Sequence, residues 1–257
     1  MNDTEHIISH FNIAGSVAEV KPLGNGLIND TFKVTTHGDA PDYVLQRINN
    51  SIFTDVDLLQ HNIDAVTTHI RRKLEAEGAA DIDRKVLQFV VSDTGKSYWQ
   101  DSDGSYWRMS VFIPRAFTHE TVNPEYSYYA GKAFGNFEAM LADMSEELGE
   151  SIPDFHNMEL RRRQLHDALK EDRAGRAAGV KDFVVQLEQY ADEMCRAQQL
   201  HREGRLPKRI CHCDTKVNNM LFDEEGHVLC VIDLDTVMPS LFYSDYGDLL
   251  RSAANTV

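Results

Sequence analysis

Residues 212–221 of the chain read His-Cys-Asp-Thr-Lys-Val-Asn-Asn-Met-Leu, and residues 232–235 read Ile-Asp-Leu-Asp. Short apolar runs on either side of a polar turn at 223–226 predict a β-hairpin between these two segments. Five polar residues flank the strands of this hairpin: His212, Asp214, Asn219, Asp233 and Asp235. Single polar residues are common in loops, but five of them at this spacing favour a functional site over a solvated loop.

The spacing H-x-D-x-x-x-x-N, followed by a hairpin and an aspartate, is that of the catalytic loop of the protein-kinase superfamily. In that chemistry the loop aspartate, here Asp214, accepts the proton of a hydroxyl group whose oxygen attacks the γ-phosphate of ATP. The asparagine amide and the later aspartate hold Mg²⁺, which prefers hard oxygen ligands. The predicted metal ligands are Asn219 and Asp233. Asp235 is a third candidate, which could equally orient the loop.

Two more residues of the loop have candidate roles. Lys216 follows Asp214 by two positions, so we predict that it reaches the transferring phosphate and that both residues contact the substrate. The alternative for Lys216 is a solvated loop lysine. His212 is expected to brace the loop through hydrogen bonds rather than to titrate in catalysis.

The rest of the sequence predicts an α+β protein with two lobes. Strand patterns occur at 17–23, 31–36, 43–48, 86–91, 98–99 and 106–113. A helix that begins after Thr54 and has one apolar face follows the third of them. We expect a five-stranded antiparallel sheet with one helix. Helical patterns dominate from Asn123-Pro124 to about Gly204, so residues 1–113 are predicted to form an N-terminal nucleotide-binding lobe and residues 114–257 a mainly helical C-terminal catalytic lobe.

The run at 212–221 and the segment at 232–239 resemble the aminoglycoside phosphotransferase-like kinases, and among these most closely the N-acetylhexosamine 1-kinases. Three other segments support the resemblance: Gly24-Asn-Gly-Leu-Ile-Asn29-Asp-Thr31, Tyr43-Val-Leu-Gln-Arg-Ile-Asn49 and Asp245-Tyr-Gly-Asp248. The likeness spans essentially the whole chain. It implies a bilobal protein-kinase-like fold and a transfer, dependent on ATP and Mg²⁺, to the anomeric hydroxyl of N-acetylglucosamine or N-acetylgalactosamine.

The resemblance also indicates which residues hold the nucleotide. A glycine turn between the first two strands would cover the phosphates, because glycine lets backbone amides approach them. The residues expected at this turn are Gly24, Asn25, Gly26, Asn29 and Thr31. Gln46 stands where a phosphate-pairing lysine is expected, and Lys33 could compensate, although a surface role is favoured for it. Phe112 and Ile113, where the lobes join, are expected beside the adenine, with an ordinary buried strand end as the alternative.

The segments near the acceptor give further expectations. His156, in the irregular stretch 155–157, is predicted to line a sugar pocket, with simple packing as the alternative. The motif at 245–248 is expected to pack under the catalytic loop, with Asp248 as a structural hydrogen-bond acceptor. Kinases of this group continue through a further helical segment, and we expect that segment to be missing here, so that the C-terminal lobe is truncated and its pocket more open.

Other functions remain compatible with the same sequence. The acceptor could instead be choline, homoserine or an aminoglycoside. Gln46 and the early end of the chain also fit an inactive pseudokinase that binds nucleotide without transferring phosphate. A metal-dependent hydrolase is a more distant alternative, because the remaining histidines are scattered along the chain.

Composition narrows the possible partners and the compartment. The chain has 26 Lys and Arg against 41 Asp and Glu, and the resulting net charge of −15 disfavours binding to nucleic acid. The polar N-terminus is unlike a signal peptide, and no apolar run is long enough to span a membrane. The four cysteines are sparse, and Cys211-His212-Cys213 lacks the spacing of a structural zinc site. We therefore expect a cytoplasmic protein with reduced thiols, whose partners are a nucleotide and a small sugar.

Overall fold

The structure is a computed structural model that describes residues 3–24, 28–119 and 123–254. An antiparallel five-stranded sheet forms the first part of the molecule, with the strand order β1-β2-β3-β5-β4. Its strands are β1 (Val17–Pro22), β2 (Asp30–Thr36), β3 (Tyr43–Ile48), β4 (Tyr98–Gln100) and β5 (Tyr106–Val111). The predicted five-stranded antiparallel sheet is confirmed.

One face of this sheet is closed by the short helix α1 (Asp3–Ile8). Leu45 of β3 lies opposite Met109 of β5, and both side chains are fully buried together with Val34 of β2. Side chains alternate across a strand, so the intervening residues of β3 and β5 point to the other face. Gln46 and Arg108 are one such pair, and they face the side of the sheet where the second half of the chain packs.

Helix α2 (Val56–Ala76) covers that second face and carries the predicted apolar stripe. Its buried side chains pack in one core with residues of both halves of the chain: Val56, Leu59, Ile63, Val66 and Ile70 against Ile48, Phe137, Leu141, Leu234 and Val237. The sequence predicts Thr54 as the N-cap, directly before the start of this helix, but Asp55 is the N-cap and the helix begins at Val56. The Asp55 carboxylate accepts a hydrogen bond from the Leu58 amide.

The prediction of a strand at 86–91 is also wrong. In this segment only an isolated bridge forms, between Phe89 and Ser110, with hydrogen bonds from the Val90 amide to the Met109 carbonyl and from the Val111 amide to the Gln88 carbonyl. The reason is that residues 86–91 and β4 compete for the same edge of β5. Strand β4 already pairs with β5 over 106–108, which leaves only the end of β5 for residues 88–90.

The second half of the chain is mainly helical and contains two small two-stranded antiparallel sheets. Its helices are α3 (Pro124–Leu141), α4 (Met158–Glu171), α5 (Lys181–Met194), α6 (Arg196–Arg202) and α7 (Tyr243–Ala253). Its strands are β6 (Arg209–Cys211), which pairs with β9 (Met238–Ser240), and β7 (Met220–Phe222), which pairs with β8 (Val228–Val231). Asn123 caps α3 as predicted, with Pro124 in its first turn. The boundary after residue 113 stays a prediction.

Helix α5 leaves an apolar face open. Phe183 is 70% exposed and Tyr190 is 61% exposed, and Leu187 and Met194 lie on the same side of the helix. An amphipathic pattern with this spacing ordinarily faces a core. Here the face stays in contact with solvent. No helix in the described part of the chain combines the length and the apolar character needed to cross a membrane.

Candidate active site

The predicted catalytic loop, residues 212–219, lies between β6 and β7, and Asp245 of α7 forms hydrogen bonds to its backbone. The Asp245 carboxylate accepts hydrogen bonds from the His212 amide at 2.7 Å and from the Cys213 amide at 2.8 Å. The Thr215 hydroxyl donates to the Asp245 carbonyl at 2.6 Å. Asp245 is only 2% exposed, so this aspartate replaces water as the partner of two buried backbone amides.

His212 braces the loop, as predicted. Its side chain is fully buried beside the rings of Phe134 and Phe137. The Asp214 amide donates to Nδ1 of His212 at 3.3 Å, which places the ring proton on Nε2, and Nε2 lies 2.9 Å from the Ile232 carbonyl. The imidazole therefore links the start of the loop to the end of β8.

Cys213 turns the chain sharply just before Asp214. Its φ of +65° is in the left-handed region, which costs a non-glycine residue about 1 kcal/mol or more. Both of its backbone groups are held: Asp245 binds the amide, and Nε2 of His156 lies 2.9 Å from the carbonyl. These contacts keep the strained turn and direct the Asp214 side chain outward.

Two predicted residues, Lys216 and Asn219, contact Asp214. Nζ of Lys216 lies 2.7 Å from Oδ2 of Asp214, and the Asn219 amide nitrogen donates to the same oxygen at 3.0 Å and to the Asp214 carbonyl at 2.8 Å. Asn219 is 3% exposed, whereas the side chains of Asp214 and Lys216 are 27% and 35% exposed. The asparagine is thus a fixed support, and the carboxylate and the ammonium group face the open side of the site.

Asp233 lies on the other side of Lys216. Its Oδ2 is 3.9 Å from the Lys216 Nζ, and its φ of +60° turns the chain abruptly after β8. The Asp233 side chain is 41% exposed, and its partial removal from water raises the pKa of the carboxyl; the neighbouring Asp235 carboxylate raises this pKa further, while Lys216 opposes both effects. A group whose ionisation is disfavoured in this way gains strongly from a nearby cation.

The donor set around Asp233 fits a hard divalent cation. The carboxylate of Asp233 has no hydrogen-bond donor among the described residues. The Asn219 side-chain oxygen is likewise free of described partners, because both hydrogen bonds of that side chain use its nitrogen. Carboxylate and amide oxygens are the ligands that Mg²⁺ prefers. Asn219 and Asp233 are therefore suited to hold Mg²⁺, with Asp214 adjacent.

Asp235 is placed differently from the other two predicted metal ligands. It is 3% exposed, and its Oδ2 accepts from the Asn29 amide at 2.7 Å. Its Oδ1 lies 2.5 Å from Nη1 of Arg108. Both carboxylate oxygens are thus engaged by side chains of the N-terminal half. The predicted role of Asp235 as a metal ligand stays untested, but its contacts favour the alternative of orienting the loop.

The residues predicted to bind nucleotide lie along β2 and β3. Gly24 has a φ of +71°, a conformation that favours glycine, and Asn25 and Gly26 fall outside the described residues. Asn29 contacts Asp235 as given above, and the Gln46 amide donates to the Thr31 hydroxyl at 3.2 Å. The structure therefore brings Asn29, Thr31 and Gln46 together above Asp235.

Phe112 and Ile113 follow the end of β5. Ile113 is buried, and the Phe112 amide donates to the Asp42 carbonyl at 2.8 Å. Nζ of Lys33 lies 4.2 Å from the Phe112 ring centroid and forms an ion pair with Asp42 at 3.0 Å. Lys33 is thus engaged at the strand connection rather than beside Gln46. The contact of Phe112 and Ile113 with adenine stays a prediction.

His156 lines a cavity of about 280 Å³ between the 154–157 segment, α6 and the start of α7. Phe155, Ser240 and Ser244 also face this space. Nε2 of His156 lies 2.9 Å from the carbonyl oxygen of Cys213, the residue that directly precedes Asp214 in sequence. The predicted position of His156 beside an open pocket agrees with this arrangement, and its contact with a substrate stays a prediction.

Sequence reasoning missed three residues that contact or support the candidate site: Asp245, Arg108 and Glu138. It assigned the structural role in the motif at 245–248 to Asp248, but Asp245 holds the loop, and Asp248 pairs with Arg251 at 2.8 Å. It gave no role to Arg108 or to Glu138. One feature of the sequence could have indicated a role for Arg108. It is a charged residue within an apolar strand pattern, and such a residue is buried only when it is paired.

Glu138 of α3 adds a second carboxyl group beneath the loop. Burial and the nearby Asp245 carboxylate raise its pKa to about 7. Arg209 opposes this shift, and the buried thiols of Cys211 and Cys213 lie on the same side, with their own pKa values raised by burial. Glu138 and Asp245 are therefore a pair of acids that hold a proton at mildly acidic pH.

This pair gives a first prediction, for Glu138→Gln. Folded Glu138 retains its proton between pH 4.5 and about 7, whereas the unfolded chain has released it, so its contribution to stability falls as pH rises through this window. The free energy of unfolding of the wild type should fall by about 1–3 kcal/mol from this group between pH 5 and pH 8, and Glu138→Gln should remove that part. Urea denaturation at both pH values measures it. Glu193→Gln, at an exposed position of α5 where the side chain has no partner among the described residues, should leave the pH dependence unchanged, and equal slopes in wild type and Glu138→Gln would contradict the assignment.

Comparison with known protein families identifies the family of the chain. The model of the phosphotransferase enzyme family (APH) matches residues 19–256, which include the catalytic loop, the hairpin and α7. The chain belongs to this family. It is accordingly a kinase-like phosphotransferase that uses a hydroxyl group as the acceptor.

Solved structures of kinases share the fold. The spectinomycin phosphotransferase APH(9)-Ia, in complex with ADP and spectinomycin, matches with a TM-score of 0.59 and 13% identity over 94% of this chain and 70% of its own. The choline kinase LicA from Streptococcus pneumoniae matches with 0.53 and 17% over 99% and 74%. A thermostable mutant of the aminoglycoside phosphotransferase APH(4)-Ia, with ADP and hygromycin B, matches with 0.53 and 15% over 95% and 74%. These likenesses show the bilobal kinase-like fold.

Proposed function

We propose that this family member is a sugar 1-kinase that uses ATP and Mg²⁺ to phosphorylate the anomeric hydroxyl of an N-acetylhexosamine. The observation that carries the phosphotransfer is the convergence of Asp214, Lys216, Asn219 and Asp233 at one open site. The resemblance of 212–221 and 232–239 to the N-acetylhexosamine 1-kinases supports the choice of acceptor.

In this proposal each residue of the loop has one task. The C1 hydroxyl oxygen of the sugar forms a bond to the γ-phosphorus, the bond from that phosphorus to the β,γ-bridging oxygen breaks, and ADP leaves. The Asp214 carboxylate orients the hydroxyl and receives its proton. Lys216, 2.7 Å from Asp214, releases this contact in favour of the transferring phosphoryl oxygens. The Lys216 ammonium group lies between the carboxylates of Asp214 and Asp233, so it stays close to the proposed base and to the proposed metal ligand.

Asn219 and Asp233 would hold Mg²⁺ in this arrangement. The bound ion supplies neutralisation of the negative charge on the β- and γ-phosphates. Asn219 is fixed by two hydrogen bonds to Asp214, and Asp233 is fixed by its left-handed backbone between β8 and the following turn. Catalysis by this chain then depends mainly on positioning and electrostatics, since phosphoryl transfer has a loose transition state.

The charges around the 280 Å³ cavity favour a neutral acceptor over a cationic one. Glu150 is neutralised by an ion pair with Lys208, and Arg202 is paired with Glu159. Among the described residues that line the cavity, Asp154 is then the one carboxylate without a cationic partner, and it accepts a hydrogen bond from Asn157 at 2.7 Å. A choline or aminoglycoside pocket needs several unpaired carboxylates around the ammonium groups, whereas a neutral sugar needs polar groups and an aromatic surface, such as Phe155 provides.

A panel of acceptors tests the proposal and gives a second prediction. ADP release with Mg·ATP is expected with N-acetylglucosamine or N-acetylgalactosamine, and not with choline, homoserine or an aminoglycoside. The 1-O-methyl glycoside of the same sugar, whose anomeric oxygen is blocked, should be inert, and the product should lose its reducing end. Turnover of the methyl glycoside would move the reaction to another hydroxyl group, and turnover of choline, homoserine or an aminoglycoside alone would replace the proposed substrate.

The departure at Gln46 supports a second candidate, a nucleotide-binding pseudokinase. The third strand lacks the lysine that pairs the α- and β-phosphates in kinases. Binding of Mg·ATP without ADP release on any member of the panel would favour this candidate.

A further inference from the structure

A buried polar cluster joins the two halves of the chain next to the proposed site. We define the Arg108 cluster as Asn29, Gln46, Gln60, Arg108 and Asp235. Asn29 directly precedes β2, Gln46, Gln60 and Arg108 lie on β3, α2 and β5, and Asp235 lies in the turn after β8. Arg108 and Asp235 are each 3% exposed and Gln60 is 2% exposed, so the charges of the cluster are almost wholly removed from water.

Arg108 is the centre of the cluster. Its Nε donates to Oε1 of Gln46 at 2.9 Å, and its Nη1 donates to Oε1 of Gln60 at 3.2 Å. The same Nη1 lies 2.5 Å from Oδ1 of Asp235. A planar guanidinium group can serve several acceptors at once in fixed directions, which an ammonium group cannot do as well.

The positions of the two glutamines explain why the arginine is needed. In protein kinases a lysine on the third strand pairs with a glutamate of the following helix, and this pair must form for catalysis. Here the third strand offers Gln46 and the following helix offers Gln60, both neutral. Arg108 bridges their side-chain oxygens from the adjacent strand, so the positive charge lies on β5 and its counter-charge, Asp235, lies in the second half of the chain.

We propose that Arg108 is a positioning residue for phosphoryl transfer and that Asp235 is its counter-ion rather than a metal ligand. The ion pair fixes the turn that carries Asp233 against the sheet. It also fixes Asn29, at the end of the glycine turn, above that site. Arg108 acts through these residues and does not touch the nucleotide, because its side chain is enclosed by the cluster.

Two sets of contacts show how the pair acts on its neighbours. Asp235 follows Asp233 by two residues, and the Ser151 hydroxyl donates to the Asp235 carbonyl at 2.8 Å, so the turn is held through both side chain and backbone. Asn29 donates to Asp235 at 2.7 Å and accepts from the Asn49 amide at 2.9 Å. Movement of Asp235 would therefore displace Asp233 and Asn29 together.

The proposal rests on the proposed function as a phosphotransferase, but its test does not need the acceptor. The third prediction concerns Arg108→Gln, Arg108→Lys, Asp235→Asn and the double variant Arg108→Gln with Asp235→Asn. Binding of Mg·ADP is measured by calorimetry at several Mg²⁺ concentrations, Tm is measured in parallel, and kcat and KM for ATP are measured with the acceptor found in the panel. Arg47→Gln, which breaks an exposed Arg–Asp pair at the neighbouring position of β3, is the matched control.

Arg108→Gln and Asp235→Asn should each weaken Mg·ADP binding and lower kcat by about 10- to 100-fold, as is typical when a group that orients metal ligands is lost. The two effects should not multiply in the double variant, because both substitutions break the same contact. Arg108→Lys keeps the charge and should recover part of the loss. Arg47→Gln should bind Mg·ADP like the wild type.

Three results would overturn the proposal. A larger Mg²⁺ requirement in Asp235→Asn but not in Arg108→Gln would make Asp235 a metal ligand. Lower Tm with unchanged Mg·ADP affinity and unchanged kcat in the folded variants would make the pair merely structural. Multiplying effects in the double variant would make the residues independent.

If Arg108→Gln does not fold, the test rests on Arg108→Lys and Asp235→Asn. Wild-type Mg·ADP binding and wild-type kcat in both of these variants would then overturn the proposal. Failure of every acceptor leaves the Mg·ADP results intact, so the two proposals fail separately.

Discussion

Asp214→Asn is expected to lower kcat by about 10²- to 10⁴-fold, the range associated with loss of a general base. The amide has the same shape as the carboxylate and keeps an oxygen for Lys216 or Asn219, so the loop should retain its position. It cannot accept the proton of the attacking hydroxyl. Affinity for Mg·ADP should change little, since the proposed ligands Asn219 and Asp233 remain. Single-turnover kinetics and calorimetry measure the two quantities.

The control for this substitution is Asp192→Asn on α5, where the side chain is 97% exposed and pairs with Arg162. It removes the same charge from the surface and should leave kcat unchanged. A kcat of Asp214→Asn within a few-fold of the wild type would contradict the role of Asp214, and a loss of Mg·ADP binding in step with kcat would place Asp214 among the metal ligands instead.

Asp245→Asn is expected to have the largest effect on stability. Its carboxylate accepts from two buried backbone amides, and the asparagine side chain offers one oxygen for both, so its own NH₂ group would face an amide. Leaving a buried donor unsatisfied costs about 1–3 kcal/mol, and the loss of charge weakens the remaining bond. We expect the free energy of unfolding to fall by about 2–4 kcal/mol and kcat to fall with it, because Cys213 and Asp214 lose their support.

Asp248→Asn provides the comparison on the same helix. That carboxylate accepts from the exposed Arg251 side chain and not from the loop. The Asp248 side chain is 16% exposed, so Asp248→Asn should lower the free energy of unfolding by about 1 kcal/mol or less, well below the effect of Asp245→Asn. Denaturant titration of both variants checks the difference, and equal stabilities for Asp245→Asn and Asp248→Asn would show that the two amides have other partners in solution.

The parts of the site that the sequence could predict are those encoded within a short segment. Asp214, Lys216, Asn219 and Asp233 come together because a two-stranded hairpin necessarily returns the chain to its starting point. Their spacing, the two apolar strands and the turn at 223–226 are all visible in fewer than 25 residues. The helix at 124–141 was predictable for the same reason, since its cap and its first proline are adjacent in sequence.

The parts that sequence reasoning missed depend on contacts between distant segments. Asn29 and Asp235 are 206 residues apart, and Arg108 meets Gln60 across 48 residues. No local pattern shows that an aspartate after a strand will face an arginine of the sheet rather than a metal ion. The strand predicted at 86–91 does not form for a related reason. Its sequence has the β pattern, but β4 already pairs with most of the available edge of β5.

The contact between Arg108 and Asp235 also bears on how the molecule unfolds. Each half of the chain contributes one member of a buried charge pair, so unfolding of one half alone would take away the counter-ion of a charge that stays buried in the other half. Loss of one partner of a buried ion pair costs about 3–5 kcal/mol. Partial unfolding is therefore penalised relative to complete unfolding, in which both charges are hydrated, and we expect the two halves to melt in a single transition.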